Sequence, residues 1–287
     1  METNNTPTSN GVQNSHTKDN AAKIVFGDPV LCAQFLKGYT DIPLFKEIKP
    51  EDIENVSSHF LPLFQESRDS DTVNKIRIGD FEIYLIALIE HQSENDFDMS
   101  FRILRYIVFI WTDYAAQQEK LHKGITKSKA FLYPPILPIV YYEGTSTWSA
   151  PLNFKDRVFL SDVFGDYIPS FHYLVVPLNK YSKQDLIEKN DELSLIFLIN
   201  QLQSSSEFHD LKDIPKEYTE HLTDNTPDYL LKIIGKVIAV LLASMMATSM
   251  VPVTAMAEMK DHFTKVSRLM SGDISALMPL SSKSCRT

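Results

Sequence analysis

The chain has 287 residues, 44% of them hydrophobic and 23% charged, and its 28 Lys and Arg against 37 Asp and Glu leave a net charge of −9. That composition suits a soluble globular protein with a sizeable core, and its negative balance excludes a global attraction to nucleic acid, so any DNA contact needs a local basic patch or a metal ion. The two cysteines, Cys32 and Cys285, stand far apart in no metal-ligand spacing. They point away from a structural zinc site and toward a reducing cytoplasm.

Taken in order, residues 1–18 are polar and rich in Asn, Thr and Ser, which predicts a disordered tail and not a targeting segment. Residues 21–39 predict a helix, a Gly-Asp-Pro break and a second helix with Val30, Phe35 and Leu36 turned inward. Pro50-Glu51-Asp52 reads as the acidic first turn of another helix over 49–58. Residues 74–93 (NKIRIGDFEIYLIALIEHQS) contain two apolar segments meeting at Gly79-Asp80, the signature of a β-hairpin. Its second segment is long and nearly uncharged, as expected of a strand buried on both faces.

The best-defined helix is 98–121, with Phe101, Leu104, Ile107, Val108 and Trp111 at helical spacing and Arg102 and Arg105 toward one flank. A buried strand follows at Ile136–Tyr142, then a turn-rich loop, helical or irregular structure over 156–167, and a strand over 172–177. A helix over 183–202 presents Leu186, Leu193, Ile196 and Ile199. This order predicts an α/β fold, a mixed central β-sheet flanked by helices on both faces. The domain occupies 19–203, and a polar stretch then leads to a helical C-terminal region, 204–280, with a loose tail at 281–287. Within that region an amphipathic helix begins near Asp228. Residues 237–257 form 21 uncharged positions, but their serines, threonines and Pro252 favour a buried helix pair over a membrane span.

Chemistry concentrates at the end of the hairpin. Side chains alternate along a strand, so Glu90 and Gln92 share a face, and the antiparallel return brings Asp71 to the same end of the sheet. Two carboxylates and an amide could hold a hard divalent cation, Mg²⁺ or Mn²⁺, for phosphodiester hydrolysis, with Gln92 orienting water or phosphate. The same residues also fit a polar strand end with a solvated acidic loop before it. Residue chemistry alone leaves both open.

Asp71, the tetrapeptide Glu90-His91-Gln92-Ser93, the helix motif Arg102-Ile103-Leu104-Arg105-Tyr106, the strand ILPIVYYEG and the turn TWSAP occur in that order. Together they resemble the Rpn family of recombination-promoting nucleases, also described as YhgA-type transposase-like proteins. The resemblance covers 19–203 and implies a PD-(D/E)XK restriction-endonuclease-like fold with Gln92 where a lysine is usual. It implies Asp71 and Glu90 as metal ligands, Gln92 as catalytic partner, and Asp19, Arg102 and Arg105 as accessory groups. Arg102 and Arg105 read equally as ordinary ion-pair partners on a helix flank, and Tyr141, Tyr142 and Trp148 read as packing residues. The function so implied is a Mg²⁺-dependent DNA endonuclease in recombination or transposon biology, cytoplasmic, with DNA as partner and no membrane. A homodimer is compatible with it. The alternative is a catalytically inactive nuclease-fold protein acting as a binding or interaction module.

Overall fold

The computed structural model describes residues 23–60, 71–90, 96–142, 144 and 146–201, and further on 215, 217–218, 221–222 and 226–235; the side chains of Ile89, Glu90 and Ile199 are outside that description. Strands β1 (Ile53–Asn55), β2 (Thr72–Ile78), β3 (Phe81–Glu90), β4 (Ile136–Tyr142) and β5 (Leu174–Pro177) form one sheet in sequence order. The hairpin predicted at Gly79-Asp80 is present: β2 and β3 are antiparallel, with Ile78 paired to Phe81 across a two-residue turn. Gly79 takes a φ of +59°, the left-handed conformation such a turn demands and that glycine adopts without penalty. At the turn end Arg77 reaches Glu54 at 2.9 Å and Lys75 stands 3.6 Å from both Glu54 and Glu82. These pairs are largely solvated and set charge complementarity more than stability.

β1 corrects the sequence expectation of a helix over 49–58. Only a single 3₁₀ turn forms at Pro50–Asp52, where the Asp52 carboxylate accepts from the Lys49 amide at 2.9 Å. The chain then extends as β1, pairing Ile53 with Ile76 and burying it. Three residues are too few for a period of two to be visible, while the acidic turn does look like a helix start.

β3 runs antiparallel to β2 and parallel to β4, and β4 runs parallel to β5. Residues Ile83 to Leu88 are all buried, so both faces of the centre must be covered. Helix α2 (Met99–Leu121) is the crossover between β3 and β4 and covers one face. Its Ile103, Tyr106, Ile107 and Ile110, at the i, i+3, i+4, i+7 spacing of an apolar stripe, pack with Val73, Tyr84, Ile86, Leu88 and Val140.

The other face is covered by α1 (Pro29–Tyr39), capped by the Asp28 carboxylate, which accepts from the Val30 and Leu31 amides at 2.9 and 3.1 Å. An aromatic cluster fills this side. Phe26 meets Phe35 at 4.8 Å and Tyr141 at 6.0 Å, and Tyr141 stacks on Phe197 at 5.4 Å. Asn74 points into the same layer and donates to the Phe26 carbonyl at 2.9 Å. As expected, Tyr141, Tyr142 and Trp148 are packing residues, the last two in edge contact at 5.1 Å.

The helix expected over 183–202 is instead two helices, α3 (Lys183–Lys189) and α4 (Glu192–Asn200). Asn190 adopts a φ of +52° between them, and the Asp191 carboxylate accepts from the Ser194 amide at 2.7 Å to cap the second. Asn tolerates the left-handed region and Asp makes a good cap, so the Asn-Asp pair is a break signal that the apolar periodicity on either side conceals. Gln34 ties α1 to α4, donating to Glu192 at 2.5 Å and accepting from the Leu193 amide at 3.1 Å.

The contact pattern divides the chain into two compact units, Met1–Gln201 and Leu202–Thr287. In the second, residues 228–235 are helical and Tyr218, Leu222, Leu230 and Ile234 are buried. Among the described residues no helix is long and apolar enough to cross a membrane. The uncharged stretch 237–257 lies outside the described residues.

Cys32 sits on the buried side of α1 with no exposed surface, and burial, reinforced by Asp28, pushes its thiol pKa up to about 12. The reactive thiolate is therefore absent at neutral pH. In a Cys285→Ser variant, an aromatic disulfide reagent at pH 8 should leave the native protein unlabelled and label one thiol in concentrated urea. Native labelling at the rate of a free thiol would show that the α1 face of the sheet is not closed.

Candidate active site

Thr72 pairs with Ala87, so Asp71, one residue earlier, stands opposite Leu88 when the register is continued. Glu90 lies two residues beyond Leu88 and pairs with Tyr142 of β4. By the two-residue pleat, positions 86, 88 and 90 share one phase, that of the α2 side of the sheet. The backbone therefore brings Asp71 and Glu90 to one end of the sheet as diagonal neighbours, positions typically about 7 to 8 Å apart.

The Asp71 side chain has no exposed surface. Its Oδ1 accepts from Arg102 Nη2 at 2.6 Å, and its Oδ2 accepts from the Tyr106 hydroxyl at 2.8 Å. Arg102 and Tyr106 are four residues apart on α2, which stacks them on one face of the helix. The hydroxyl and the guanidinium thus reach the same carboxylate from successive turns. Burial disfavours the charge on Arg102, but the adjacent Asp71 more than offsets it and holds the guanidinium pKa above its ordinary value. For Tyr106, burial and then the Asp71 carboxylate both push the phenol pKa upward, so its hydroxyl stays protonated and donates.

A third acidic group completes the surroundings. Asp96 lies just before α2, its Oδ2 at 3.7 Å from Arg102 Nη1, while its Oδ1 accepts from the Asp98 amide at 2.9 Å. Arg102 is thereby placed between two carboxylates, with Nε and Nη1 buried and making no hydrogen bond among the described residues.

The structure therefore brings together Asp71 and Arg102 of the residues singled out from sequence. Arg102 does form an ion pair, with Asp71, but a buried one: its side chain is 12% exposed. Arg105 is half-buried one turn along the same helix. Glu90 is placed by its backbone, whereas Gln92 and Asp19 lie outside the described residues. Among the described residues no group of three or more His, Cys, Asp and Glu converges as a metal centre. Sequence reasoning missed Tyr106, although its four-residue spacing from Arg102 was the available signal.

A family model described as "Putative transposase, YhgA-like" matches residues 16–227 of the chain. Among curated proteins, the chain is 27% identical over 144 residues to the inactive recombination-promoting nuclease-like protein RpnE of Escherichia coli K12, covering 50% of this chain and 44% of that protein. It is 22% identical over 182 residues to the recombination-promoting nuclease RpnD of Escherichia coli O157:H7, covering 58% of this chain and 66% of that protein. The chain thus spans less than two thirds of the length of either relative. No solved structure matches it.

Removing one member of a buried charge pair strands the other, at a cost of about 3 to 5 kcal/mol, whereas removing both relieves the penalty. Arg102→Met should therefore lower the free energy of unfolding in urea by about 3 to 5 kcal/mol. The double change Arg102→Met, Asp71→Asn should recover much of that loss. Tyr106→Phe should cost about 1.5 to 3 kcal/mol, the worth of a hydrogen bond to a charged group. A double variant no more stable than Arg102→Met would show that the two side chains are not coupled.

Proposed function

Because the chain belongs to the YhgA-like family of putative transposases, we propose that it is a metal-dependent nuclease hydrolysing DNA phosphodiester bonds in recombination or transposon biology. The observation that carries this reading is the convergence of Asp71 and the Glu90 end of β3 on one end of the sheet, beneath Arg102 and Tyr106 of α2. The relative named a recombination-promoting nuclease supports the reaction class.

In this reading Asp71, Glu90 and Gln92 contribute only oxygen ligands and an amide, a donor set suited to Mg²⁺ or Mn²⁺. A divalent cation held there would polarise the phosphoryl group and neutralise charge as it develops. Asp71 would serve as an oxygen ligand, with its carboxylate fixed in orientation by Arg102 and Tyr106. Gln92 would position the attacking water or a phosphate oxygen, supplying no positive charge. Arg102, with two buried nitrogens outside any described hydrogen bond, would compensate negative charge in the occupied site.

A second reading is favoured by a specific observation. The Asp71 carboxylate is already engaged by a cation and a hydroxyl and has no exposed surface, as a purely structural acid would be. One relative is named as inactive. In that case the chain is a nuclease-fold binding module.

Incubation of the purified protein with supercoiled plasmid and Mg²⁺ or Mn²⁺ decides between them. The nuclease reading expects divalent-dependent nicking or linearisation that falls at least 100-fold in Glu90→Ala and Gln92→Ala, each checked for an unchanged thermal melt. Cleavage unaltered in both variants would remove the site assignment. A folded wild-type protein that neither cleaves DNA nor binds either ion by calorimetry would establish the binding-module reading.

A further inference from the structure

The segment 119–129 at the C-terminal end of α2 contains Lys120, Lys123, Lys127 and Lys129 against one acid, Glu119, a local net charge of +3. The other residues therefore carry −12, from −9 minus +3. All four lysines are exposed, and among the described residues none closes an ion pair within 4 Å. A field of this sign on an acidic chain is a local reversal that attracts polyanions.

The loop has a defined shape. Glu119 turns inward and accepts from the Gly124 amide at 2.5 Å and from the Thr126 hydroxyl at 3.2 Å. Those bonds, with the Gly124 contact the largest contribution, hold its carboxyl pKa below the usual value, so the acid organises the loop. Gly124 takes a φ of +83°, and a 3₁₀ turn follows at Ile125–Lys127. The return to β4 is fastened by aromatic rings, Tyr114 on Phe131 at 6.0 Å and Trp111 on Tyr133 at 5.6 Å, and by Trp111 donating to the Pro134 carbonyl at 2.9 Å. Tyr133 remains about half exposed on this return.

Lysines at a helix C-terminus complement the helix dipole, and that accounts for Lys120. The effect fades within the last turn, so it leaves Lys123, Lys127 and Lys129, which lie beyond α2, unexplained. We infer that this loop is a phosphate-backbone contact for nucleic acid, separate from the Asp71 site. The choice of nucleic acid as the polyanion rests on the nuclease reading. Eighteen residues of helix separate Arg102 from Lys120, about 27 Å at the usual rise of ~1.5 Å per residue. The loop would therefore act on binding and leave the chemistry at the far end of α2 untouched.

The test is fluorescence anisotropy of a labelled 20-base-pair duplex in EDTA, over a range of salt, comparing wild type with Lys123→Glu, Lys127→Glu, Lys129→Glu together and with a control, Lys37→Glu, Lys49→Glu. Each phosphate contact contributes about 0.9 to the slope of log affinity on log salt. The triple variant is expected to bind at least tenfold more weakly at 50 mM salt, with the slope smaller by about 2 to 3, while the control is unchanged. Mg²⁺-dependent hydrolysis of bis(4-nitrophenyl) phosphate, which has no extended backbone, should be equal in wild type and triple variant. Equal affinity and slope in wild type and triple variant would overturn the inference, as would wild type that fails to bind duplex. Loss in the variant of binding to phosphatidylserine vesicles only would overturn it in favour of a membrane surface. Loss of DNA binding in the triple variant, with wild type inactive on every phosphodiester tested, would uphold the inference and remove the nuclease reading.

Discussion

A carboxylate enclosed at the edge of an apolar core cannot keep its charge unless the fold supplies a cation and hydrogen-bond donors. Asp71 is in that position, and the groups it requires, Arg102 and Tyr106, both come from α2. The pair therefore does more than satisfy local polarity. It fixes where along the sheet α2 can lie, since sliding the helix by one turn would separate Arg102 from Asp71 by the ~5.4 Å pitch and break the pair. The apolar stripe of α2 brings the helix to the sheet, but close-packed aliphatic side chains discriminate between registers less sharply than one buried charge pair.

That constraint explains why one helix organises the molecule. α2 closes the parallel crossover between β3 and β4, and it buries Ile103, Ile107 and Ile110 against β2, β3 and β4. Its first turns supply the partners of Asp71, and its end opens into the basic loop around Gly124. The central strand β3, buried from Ile83 to Leu88, depends on this cover on one face and on α1 with its aromatic cluster on the other. Glu90 ends β3, at the level of Tyr142.

The hairpin, α2 and β4 were legible because each carries a strong local signal. Gly79-Asp80 specifies a two-residue turn, the apolar spacing within 98–121 marks a helix, and β4 is an apolar run bounded by prolines and Glu143-Gly144. The face singled out in that helix was not the buried one: Phe101 and Val108 are exposed, whereas Ile103, Tyr106, Ile107 and Ile110 are buried. β1 was illegible because three residues cannot display an alternation, and its pairing with β2 depends on a contact more than twenty residues away in sequence. The break at Asn190 was hidden for a different reason. Apolar residues on both sides keep helical spacing and mask the Asn190-Asp191 break, where Asn190 takes a φ of +52°. At the site, Asp71 and Arg102 were both visible as candidates, yet nothing local indicated that they would be partners of each other or that Tyr106 would join them.

What the sequence determined by itself was the hairpin, the crossover helix and the β4 run, the mixed α/β class, the shared phase of Glu90 with the buried residues of β3, and the motif order of the family. These follow from periodicity and turn chemistry, which act over neighbouring residues. Tertiary structure alone decided that Asp71 is wholly enclosed, that Arg102 turns into the sheet, and that Tyr106 completes the carboxylate's partners. Those outcomes join residues 31 and 35 positions apart, and they depend on how far α2 slides along the sheet before charge burial stops it.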